Sequence, residues 1–478
     1  MNSPILDNFL SLCAIPRKSH HEEQVSRFLA DWGRAQGLAV CRDPAGNVIL
    51  DAPASPGLEN APTTILQAHM DMVAVGAEGS DFDPLRDPVT PVREGDWLRA
   101  QCSSLGADDG AGVAIAMTIL ADKSAVHGPL RAVFTTDEED GMSGANALEP
   151  RHLQGDYLIN LDWEGFGSLC CSSAGSDMYA FHKPARWSEA GNAAFFAVTV
   201  QGLEGGHSGA QIHLGRKNAI RLLTEILLSG SEAAGSLVLS AFKGGSAHNA
   251  IPSSASAVAA VPEDKAELFL AAARKKAGEL LQACAATDPG AQILLGRCEG
   301  GKKVLPVFLT RDILGMLSSV HDGVNTMSKS IPGLVESSAN TGLAELDEEE
   351  FRFVIHQRSS EPAITADMKR TFAAQARTFD FTMETLASGA PWPVKADSRL
   401  VELTRRRFRA LFGREISVEP IHAGLECGCF SQKNPGLDII SIGPDLQDIH
   451  SPRERLYLPS MEDCDTLVRA LLKDIAAL

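Results

Sequence analysis

Histidine and carboxylate residues recur in short clusters along the first third of the chain. The sequence reads "HMD" at residues 69–71, "GADDG" at 106–110, "FTTDEED" at 134–140 and "NLD" at 160–162. Imidazole and carboxylate donors without thiolates form a ligand set suited to zinc, cobalt or manganese. Two such ions that share a bridging carboxylate need about five ligands. These clusters therefore indicate a site for divalent cations.

Most of these clusters follow an apolar stretch that is typical of a buried strand. "TTILQA" precedes His69, "LRAVF" precedes the acids 137–140, and "DYLIN" precedes Asp162. A glycine-rich turn that carries Asp108 opens a segment with the composition of a buried helix, ending near Ala121. Strands alternating with helices predict an α/β sheet, in which ligands bind beyond the carboxyl ends of the strands.

The four consecutive acids also have a simpler interpretation, a solvated turn, which is favoured when this segment is taken alone. However, His69 and Asp71 lie two residues apart, on one face of an extended segment, and the same arrangement recurs at other strand ends. His69, Asp108, Asp162 and one of the four acids supply four ligands, and the residues alone leave open which acid binds. His450, after the apolar "LDIISIG", supplies a fifth.

Composition excludes several other functions. The 478 residues include 61 acidic and 43 basic side chains, a net charge of −18, and no basic cluster interleaves with aromatics, so we expect no nucleic-acid partner. No apolar stretch approaches the roughly 18 residues of a membrane span, and the start lacks the features of a signal peptide. Ten scattered cysteines do not form a disulfide framework. We expect a cytoplasmic protein without a membrane partner.

A thiolate metal site is a weaker alternative. The segment "CGC" places Cys427 and Cys429 two residues apart, with only His422 nearby. A structural zinc site needs four ligands, and no second cysteine pair completes the set. We therefore do not expect zinc at this segment.

Eight segments occur in an order that resembles one enzyme family. They are "HMD", "GADDGAG", "TTDEED", "NLD", "EGGHSGAQIHLGRKNA", "GGSAHNAIP", "GLECG" and "IHSPRER". Together they resemble the aminoacyl-histidine dipeptidases, also called Xaa-His or cytosol nonspecific dipeptidases. This family belongs to the superfamily of zinc-dependent carnosinases, aminoacylases and glutamate carboxypeptidases. Each motif is weak alone, but their order and spacing are specific, and they cover nearly the whole chain.

The resemblance implies how the metal ligands are shared. His69 and Asp162 would bind one ion, Glu139 and His450 would bind the other, and Asp108 would bridge the two. Zn²⁺ is the expected metal, with Co²⁺ or Mn²⁺ as alternatives. Such a pair polarises the scissile carbonyl and lowers the pKa of a shared water molecule.

The resemblance also implies roles for residues beside the ligands. Asp71 would hold the His69 imidazole in its ligating orientation. Glu138 would be the general base that takes a proton from water and passes it to the leaving amine. The family tends to have a cis peptide bond after the bridging aspartate, here between Asp108 and Asp109.

A different pattern of elements predicts an insert between residues 190 and 384. It reads as strand, helix, two strands and helix, followed by a second such half. We therefore expect a catalytic α/β domain with a mixed central sheet, made of residues 1–189 and 385–478, and an inserted α+β domain. The resemblance implies that the insert is a lid and forms the interface of a homodimer.

Three residues of the insert are implied in substrate binding. His207, in "GGHSG", would donate to the developing oxyanion, from its own subunit or from its partner's. Asn249, in "AHNAIP", would contact the same oxygen or the peptide. Arg358, in "HQRSS", would bind the free carboxylate of the substrate in a bidentate fork. The simpler alternatives are a loop histidine and a surface arginine.

These features together predict a two-metal dipeptidase that hydrolyses unblocked dipeptides, with β-alanyl-histidine and other Xaa-His peptides as candidate substrates. Two alternatives stay open: a deacylase of N-acyl amino acids from the same superfamily, and a catalytically silent dimeric relative that only binds. The presence of every proposed ligand and of Glu138 argues against the silent relative. "SPRER" after His450 departs from the more usual "SPDE", which bears on substrate preference and leaves the metal ligands intact.

Overall fold

The computed structural model describes residues 3–301, 303–329, 331 and 333–478. In this part of the chain the helices α1 to α11 are, in order, Pro4–Cys13, Glu23–Ala35, Ala107–Ala121, Ser143–Ala147, Ala219–Ala234, Ala266–Cys284, Val307–Ser319, Pro362–Thr378, Arg399–Phe412, Cys427–Lys433 and Leu458–Ile475. No helix among these residues is long and apolar enough to cross a membrane.

Strands β1 to β25 lie singly or in groups between these helices. In order, they are Ala39–Arg42, Val48–Ala52, Thr64–His69, Pro91–Glu94, Trp97–Ala100, Leu130–Thr135, Tyr157–Asn160, Ser168–Leu169, Gly175–Pro184, Ser188–Glu189, Ala193–Gln201, Gly206–His207, Val238–Gly244, Ala250–Ile251, Ala255–Pro262, Gln292–Arg297, Lys303–Val304, Gly323–Met327, Val335–Leu346, Glu350–Ser359, Thr382–Gly389, Ser417–Val418, Asp438–Ser441, Leu446–Gln447 and Arg455–Tyr457. Helix α3 ends at the residue that the sequence predicted.

The chain divides into two compact units. The first unit comprises Met1–Ser173, Trp392–Pro420 and Leu425–Leu478, and the second comprises Ala174–Pro391 and Ile421–Gly424. The limits of the insert that the sequence predicts, residues 190 and 384, remain a prediction.

The first unit is built on a six-stranded mixed sheet with the order β1-β2-β6-β3-β7-β23. Strands β6, β3, β7 and β23 are parallel to one another. Strand β2 is antiparallel to both of its neighbours, β6 and β1. All six residues of β3 are buried, as is typical of a parallel strand covered on both faces. The predicted mixed α/β fold is confirmed, and the parallel strands end at one edge of the sheet.

Helix α3 lies in the core of the first unit. It consists almost entirely of small and aliphatic residues after its two aspartates, and all of its residues except Ala121 are buried. A helix that is apolar on every side must be covered on every side, and α3 packs against α1, α11 and β3. Its first turn is therefore fixed in place by the core around it.

The second unit is built on a nine-stranded sheet. Its strand order is β16-β11-β15-β13-β19-β20-β9-β21, and β18 pairs with β19. Strand β11 alternates between buried and partly buried residues, which fits a sheet with one face covered by helices. Phe181 stacks on Phe353 in the core, with ring centroids 4.6 Å apart. Strand β9 pairs with β20 over its whole length, and it lies before residue 190 in the sequence.

Strands β19 and β20 carry a buried polar patch. Ser338 lies opposite Arg358 and Asn340 lies opposite His356, and all four are at most 9% exposed. The Ser338 Oγ lies 2.7 Å from Nε2 of the buried His422. Burial, reinforced by the charge of Arg358, lowers the pKa of both His356 and His422 to about 3. Both imidazoles are therefore neutral at pH 7.

Acid should destabilise the second unit through these two histidines. In the unfolded chain each binds a proton near its ordinary pKa of 6.5, and the folded protein binds it only near 3. Between these values the unfolded state holds more protons, so stability falls as the pH falls, by about 2 kcal/mol per histidine from pH 7 to pH 5. We expect His356→Gln to narrow the difference in Tm between pH 7 and pH 5, measured in the presence of EDTA.

The control is His213→Gln, which replaces an exposed histidine of the same unit. It should keep the acid sensitivity of the wild-type protein. An unchanged Tm difference in His356→Gln would contradict the burial of a neutral imidazole at this position.

Candidate metal centre

The carboxyl ends of the parallel strands bring the first set of predicted residues together. His69 is the last residue of β3, and Asp162 follows the last residue of β7 by two positions. Glu138 and Glu139 follow β6, which ends at Thr135. Asp108 belongs to the first turn of α3. Ligands in α/β proteins bind at this edge of the sheet, and Glu138 and Glu139 of the acidic cluster lie here, whereas Asp140 is exposed.

Asp108 lies between two imidazoles. Its Oδ1 is 3.1 Å from His69 Nε2, and its Oδ2 is 3.1 Å from His450 Nε2. His69 Nε2 is also 3.4 Å from Asp162 Oδ1, and His450 Nε2 is 2.9 Å from Glu139 Oε2. Two groups of three donors thus share Asp108, and within each group the candidate ligand atoms lie within 4.8 Å of one another.

The charges of this cluster fit divalent cations. Burial raises the pKa of Asp162 well above its usual range, and although His69 opposes this, Asp108 adds to it. Hydrogen bonds that the His450 imidazole donates to Asp108 and then to Glu139 raise the pKa of His450 to about 11. The Oε1 atom of Glu139 is buried without a hydrogen-bond partner among the described residues. Crowded buried acids and an unpaired carboxylate oxygen are relieved by a bound cation, and the oxygen and nitrogen donors suit zinc, cobalt or manganese.

Asp71 fixes both His69 and the loop after β6. Its Oδ1 lies 3.3 Å from His69 Nδ1, which leaves Nε2 directed at Asp108. Asp71 also accepts hydrogen bonds from the backbone N–H groups of Glu138, at 3.1 Å, and Glu139, at 3.2 Å. Burial acts to raise the pKa of Asp71, but its bonds, that with His69 foremost, hold the pKa below its usual value. Asp71 is therefore an ionised anchor for two parts of the site.

The four acids after β6 separate into two pairs. Asp137 and Asp140 lie on either side of His20, with Asp137 Oδ1 3.2 Å from Nδ1 and Asp140 Oδ2 2.8 Å from Nε2. Glu139 joins the metal-compatible group, and Glu138 lies beside it with its side chain partly buried. Burial raises the pKa of Glu138 well above its usual range, with His69 opposing and Asp162 adding to the shift.

The turn before α3 has a special backbone. The peptide bond between Asp108 and Asp109 is cis, as the resemblance implies. Gly106 has a φ of 70°, in the left-handed region that favours glycine. Asp109 is buried and points away from the cluster, since its Oδ2 accepts from the backbone N–H of His69 and its Oδ1 from that of Gly112. Asp109 therefore supports the turn.

The N-terminal segment contributes residues that the sequence analysis did not assign. Arg17 is 1% exposed and donates to the backbone carbonyls of Met70, at 3.0 Å, Asp71, at 2.8 Å, and Gly106. Ser19 donates to Asp71 Oδ2 at 2.8 Å. The only signal in the sequence is a polar "PRKSHHEE" directly after an amphipathic helix, which is typical of any surface loop.

Glu426, in the quoted motif "GLECG", is a second residue that received no role. It is fully buried and its Oε2 accepts from Gln67 Nε2 at 2.6 Å and from Thr135 Oγ1 at 2.7 Å. Asn160 donates to Gln67 Oε1 at 2.6 Å. Burial raises the pKa of Glu426 to about 7. This network joins β3, β6 and β7 just before the residues of the metal-compatible cluster. The signal in the sequence that could have indicated it is a polar residue within each of three otherwise apolar strands.

The cysteines of "CGC" do not join a metal-compatible group. Cys427 and Cys429 are buried on α10, and the groups of metal donors found in the described ranges contain neither. Burial raises the pKa of Cys427 well above its usual value and that of Cys429 to about 11. Metals bind thiolates, and burial favours the neutral thiol at both positions.

The second unit holds the other three predicted residues. His207 Nδ1 accepts from the backbone N–H groups of Gly209, at 3.2 Å, and Ala210, at 3.0 Å. Burial, and then Arg358, lower the pKa of His207. Because Nδ1 accepts, the neutral ring carries its hydrogen on Nε2, which is free to donate. Asn249 is exposed, and its backbone carbonyl accepts from Ser208 N–H at 2.8 Å.

Arg358 is a buried cation, and no carboxylate of the described residues pairs with it. Its side chain is 6% exposed, and its Nε is buried with no hydrogen-bond partner among the described residues. Burial lowers its pKa to about 10, which still leaves it charged at pH 7. An unpaired buried guanidinium is costly, and a ligand carboxylate would satisfy it. The surface-arginine alternative is wrong.

Known proteins resemble this chain in sequence and in fold. Residues 65–474 match the sequence family described as peptidase family M20/M25/M40. The cytosol non-specific dipeptidase of Escherichia coli K12 is 35% identical, over 99% of this chain and 98% of that protein. The crystal structure of aminoacylhistidine dipeptidase from Vibrio alginolyticus superimposes with a TM-score of 0.91 and 32% identity, covering 98% and 96% of the two chains.

More distant structures share the fold. Human carnosine dipeptidase 1 has a TM-score of 0.53 and 13% identity, covering 99% of this chain and 96% of that one. The family model spans most of the chain and the Escherichia coli relative matches along its full length. The chain therefore belongs to peptidase family M20/M25/M40, and it is a metal-dependent peptide hydrolase.

Proposed function

We propose that this protein is a two-metal dipeptidase that hydrolyses unblocked dipeptides in the cytosol, with Xaa-His peptides such as β-alanyl-histidine as first candidates. The observation that carries the proposal is the position of Asp108, whose two oxygens belong to two separate donor groups. The names of the two full-length relatives, a cytosol non-specific dipeptidase and an aminoacylhistidine dipeptidase, support the substrate class.

In the proposed site, His69 and Asp162 would hold one cation and Glu139 and His450 would hold the other. Asp108, which belongs to both donor groups, would be shared between them. The donor set favours Zn²⁺, with Co²⁺ or Mn²⁺ as alternatives. When bound, such a pair supplies Lewis acidity to the scissile carbonyl and lowers the pKa of a water molecule. Asp71 keeps His69 Nε2 turned towards the cation by holding Nδ1.

Glu138 is the proposed general base. Asp71 accepts hydrogen bonds from the backbone N–H groups of both Glu138 and Glu139, which fixes this loop. Glu139 is the proposed ligand, and the Glu138 side chain makes no hydrogen bond with the described residues. Burial raises the pKa of Glu138, which is the direction expected of a carboxylate that accepts a proton from water and returns it to the leaving amine.

The second unit supplies the proposed contacts to the substrate. His207 donates from Nε2 to the developing oxyanion, a role supported by the two backbone bonds at Nδ1. Asn249 contacts the same oxygen or the peptide. Arg358 binds the C-terminal carboxylate of the dipeptide, supported by its buried, unpaired guanidinium. We further propose that the unit forms the interface of a homodimer.

Glu138→Gln should abolish turnover and leave the metals in place. The amide is isosteric with the carboxylate and cannot accept the proton, so we expect kcat to fall by about 10²–10⁴-fold. Metal content per chain, measured by plasma emission spectrometry, should equal that of the wild-type protein. Asp140→Asn is the control, because Asp140 is exposed and, among the described residues, forms its ion pair with His20. This variant should retain kcat. Loss of metal in Glu138→Gln would show that the base and the ligand are exchanged.

A substrate panel separates dipeptide hydrolysis from the alternatives. Purified protein would be assayed on dipeptides, on the same dipeptides as C-terminal amides, and on N-acetyl amino acids, before chelation and after Zn²⁺ is restored. We expect chelator-sensitive cleavage of free dipeptides, and amides cleaved with a KM raised at least about tenfold because Arg358 loses its anion. Preferential cleavage of N-acetyl amino acids would favour the deacylase, and bound metal without any cleavage would favour the silent relative.

A further inference from the structure

Glu454 makes an unusual set of contacts at the turn before α3. Its Oε2 accepts hydrogen bonds from the backbone N–H groups of Leu105, at 2.7 Å, and Gly106, at 2.9 Å. Its Oε1 accepts from those of Ala107, at 2.7 Å, and Asp108, at 3.3 Å. The side chain is 2% exposed. One carboxylate thus binds four successive backbone groups that end at the bridging aspartate.

Glu454 is itself held by a rigid element. It lies four residues after His450 and directly before β25, and β25 pairs with β5 through Arg455 opposite Arg99. Its backbone N–H donates to Ser451 at 3.0 Å. The carboxylate therefore connects the segment that carries His450 to the turn that carries Asp108.

The opposite side of the same turn is held by Arg17. Its Nη2 donates to the carbonyl of Gly106, while its Nη1 bonds the carbonyls of Met70 and Asp71. The N–H groups of the turn thus face Glu454, and one of its carbonyls faces Arg17. With both sides occupied, the peptide planes before Asp108 have one orientation, which sets the direction of the Asp108 side chain.

We propose that Glu454 is a positioning residue for the metal centre. It holds the turn so that each oxygen of Asp108 faces one donor group, and it holds the segment of His450 at a fixed position beside that turn. The inference rests on the two-metal site proposed above. Glu454 belongs to neither donor group, and it would act through the turn that carries Asp108. A carboxylate is needed because it presents acceptors to all four N–H groups, whereas an amide presents one oxygen and turns an NH₂ group towards two of them.

The test compares Glu454→Gln with Asp438→Asn. Asp438 is a buried carboxylate in the same unit that accepts from Ser398 Oγ, at 2.6 Å, and from Leu400 N–H, at 3.0 Å. It is the first residue of β23, at the end of the strand opposite the metal-binding edge. Both substitutions remove a buried charge that holds backbone, so both should lower the Tm in EDTA.

Only Glu454→Gln should alter metal binding. Full-length protein would be titrated with Co²⁺ against a competing chelator, and the visible absorption of bound Co²⁺ would report the ligand geometry. We expect the Co²⁺ affinity of Glu454→Gln to fall by about 10–100-fold with a changed spectrum. Asp438→Asn should match the wild-type protein in both readouts, and Glu454→Asp, which keeps the charge, should lie between wild type and Glu454→Gln.

Each result has a distinct meaning. If Glu454→Gln keeps the Co²⁺ affinity and spectrum of the wild-type protein, the proposed role of Glu454 is wrong. The same holds if Asp438→Asn loses as much Co²⁺ affinity as Glu454→Gln. Neither result would contradict the two-metal site. Absence of Co²⁺ binding by the wild-type protein would instead contradict the two-metal site. If Glu454→Gln does not yield folded protein, Glu454→Asp carries the test, and an unchanged Co²⁺ spectrum in it would contradict the proposal.

Discussion

The metal-compatible cluster of the first unit is centred on one carboxylate, that of Asp108, which lies between two imidazoles. Its two oxygens face His69 and His450, and further acids crowd around them in a buried setting. Buried acids repel one another and lose hydration, so the arrangement persists only if cations, imidazoles or backbone N–H groups compensate each charge. The raised pKa values of Asp162 and Glu138 express that crowding. A pair of divalent cations is the compensation that the donor geometry fits.

Buried polar residues around the cluster hold its parts in place. Asp71 joins His69 to the loop of Glu138 and Glu139, and Glu426 joins the three strands that end at the cluster. Arg17 binds the carbonyls on one side of the turn before α3. Residues outside the two donor groups thus hold the candidate ligands in place, and the buried α3 supports the turn that carries Asp108.

Local patterns in the sequence were sufficient for much of this account. Apolar runs that end in His69 and Asp162 predicted strands, and strand ends in an α/β protein meet at one edge, so the cluster could be anticipated before its geometry was known. The residues alone could not distinguish Glu138 and Glu139 from Asp137 and Asp140, because that sorting depends on the contact of His20 with the outer pair. Arg17 and Glu426 were not assigned because their partners are distant in sequence. The pairing of β9 with β20 is likewise a long-range contact that periodicity does not reveal.

Anomalous diffraction from crystals grown with Zn²⁺ would locate each bound ion without reference to activity. We expect two peaks roughly 3.5–4 Å apart. One should lie against His69 and Asp162, the other against Glu139 and His450, with one oxygen of Asp108 on each. A single ion, or an ion bound by the thiols of Cys427 and Cys429, would contradict the two-metal site.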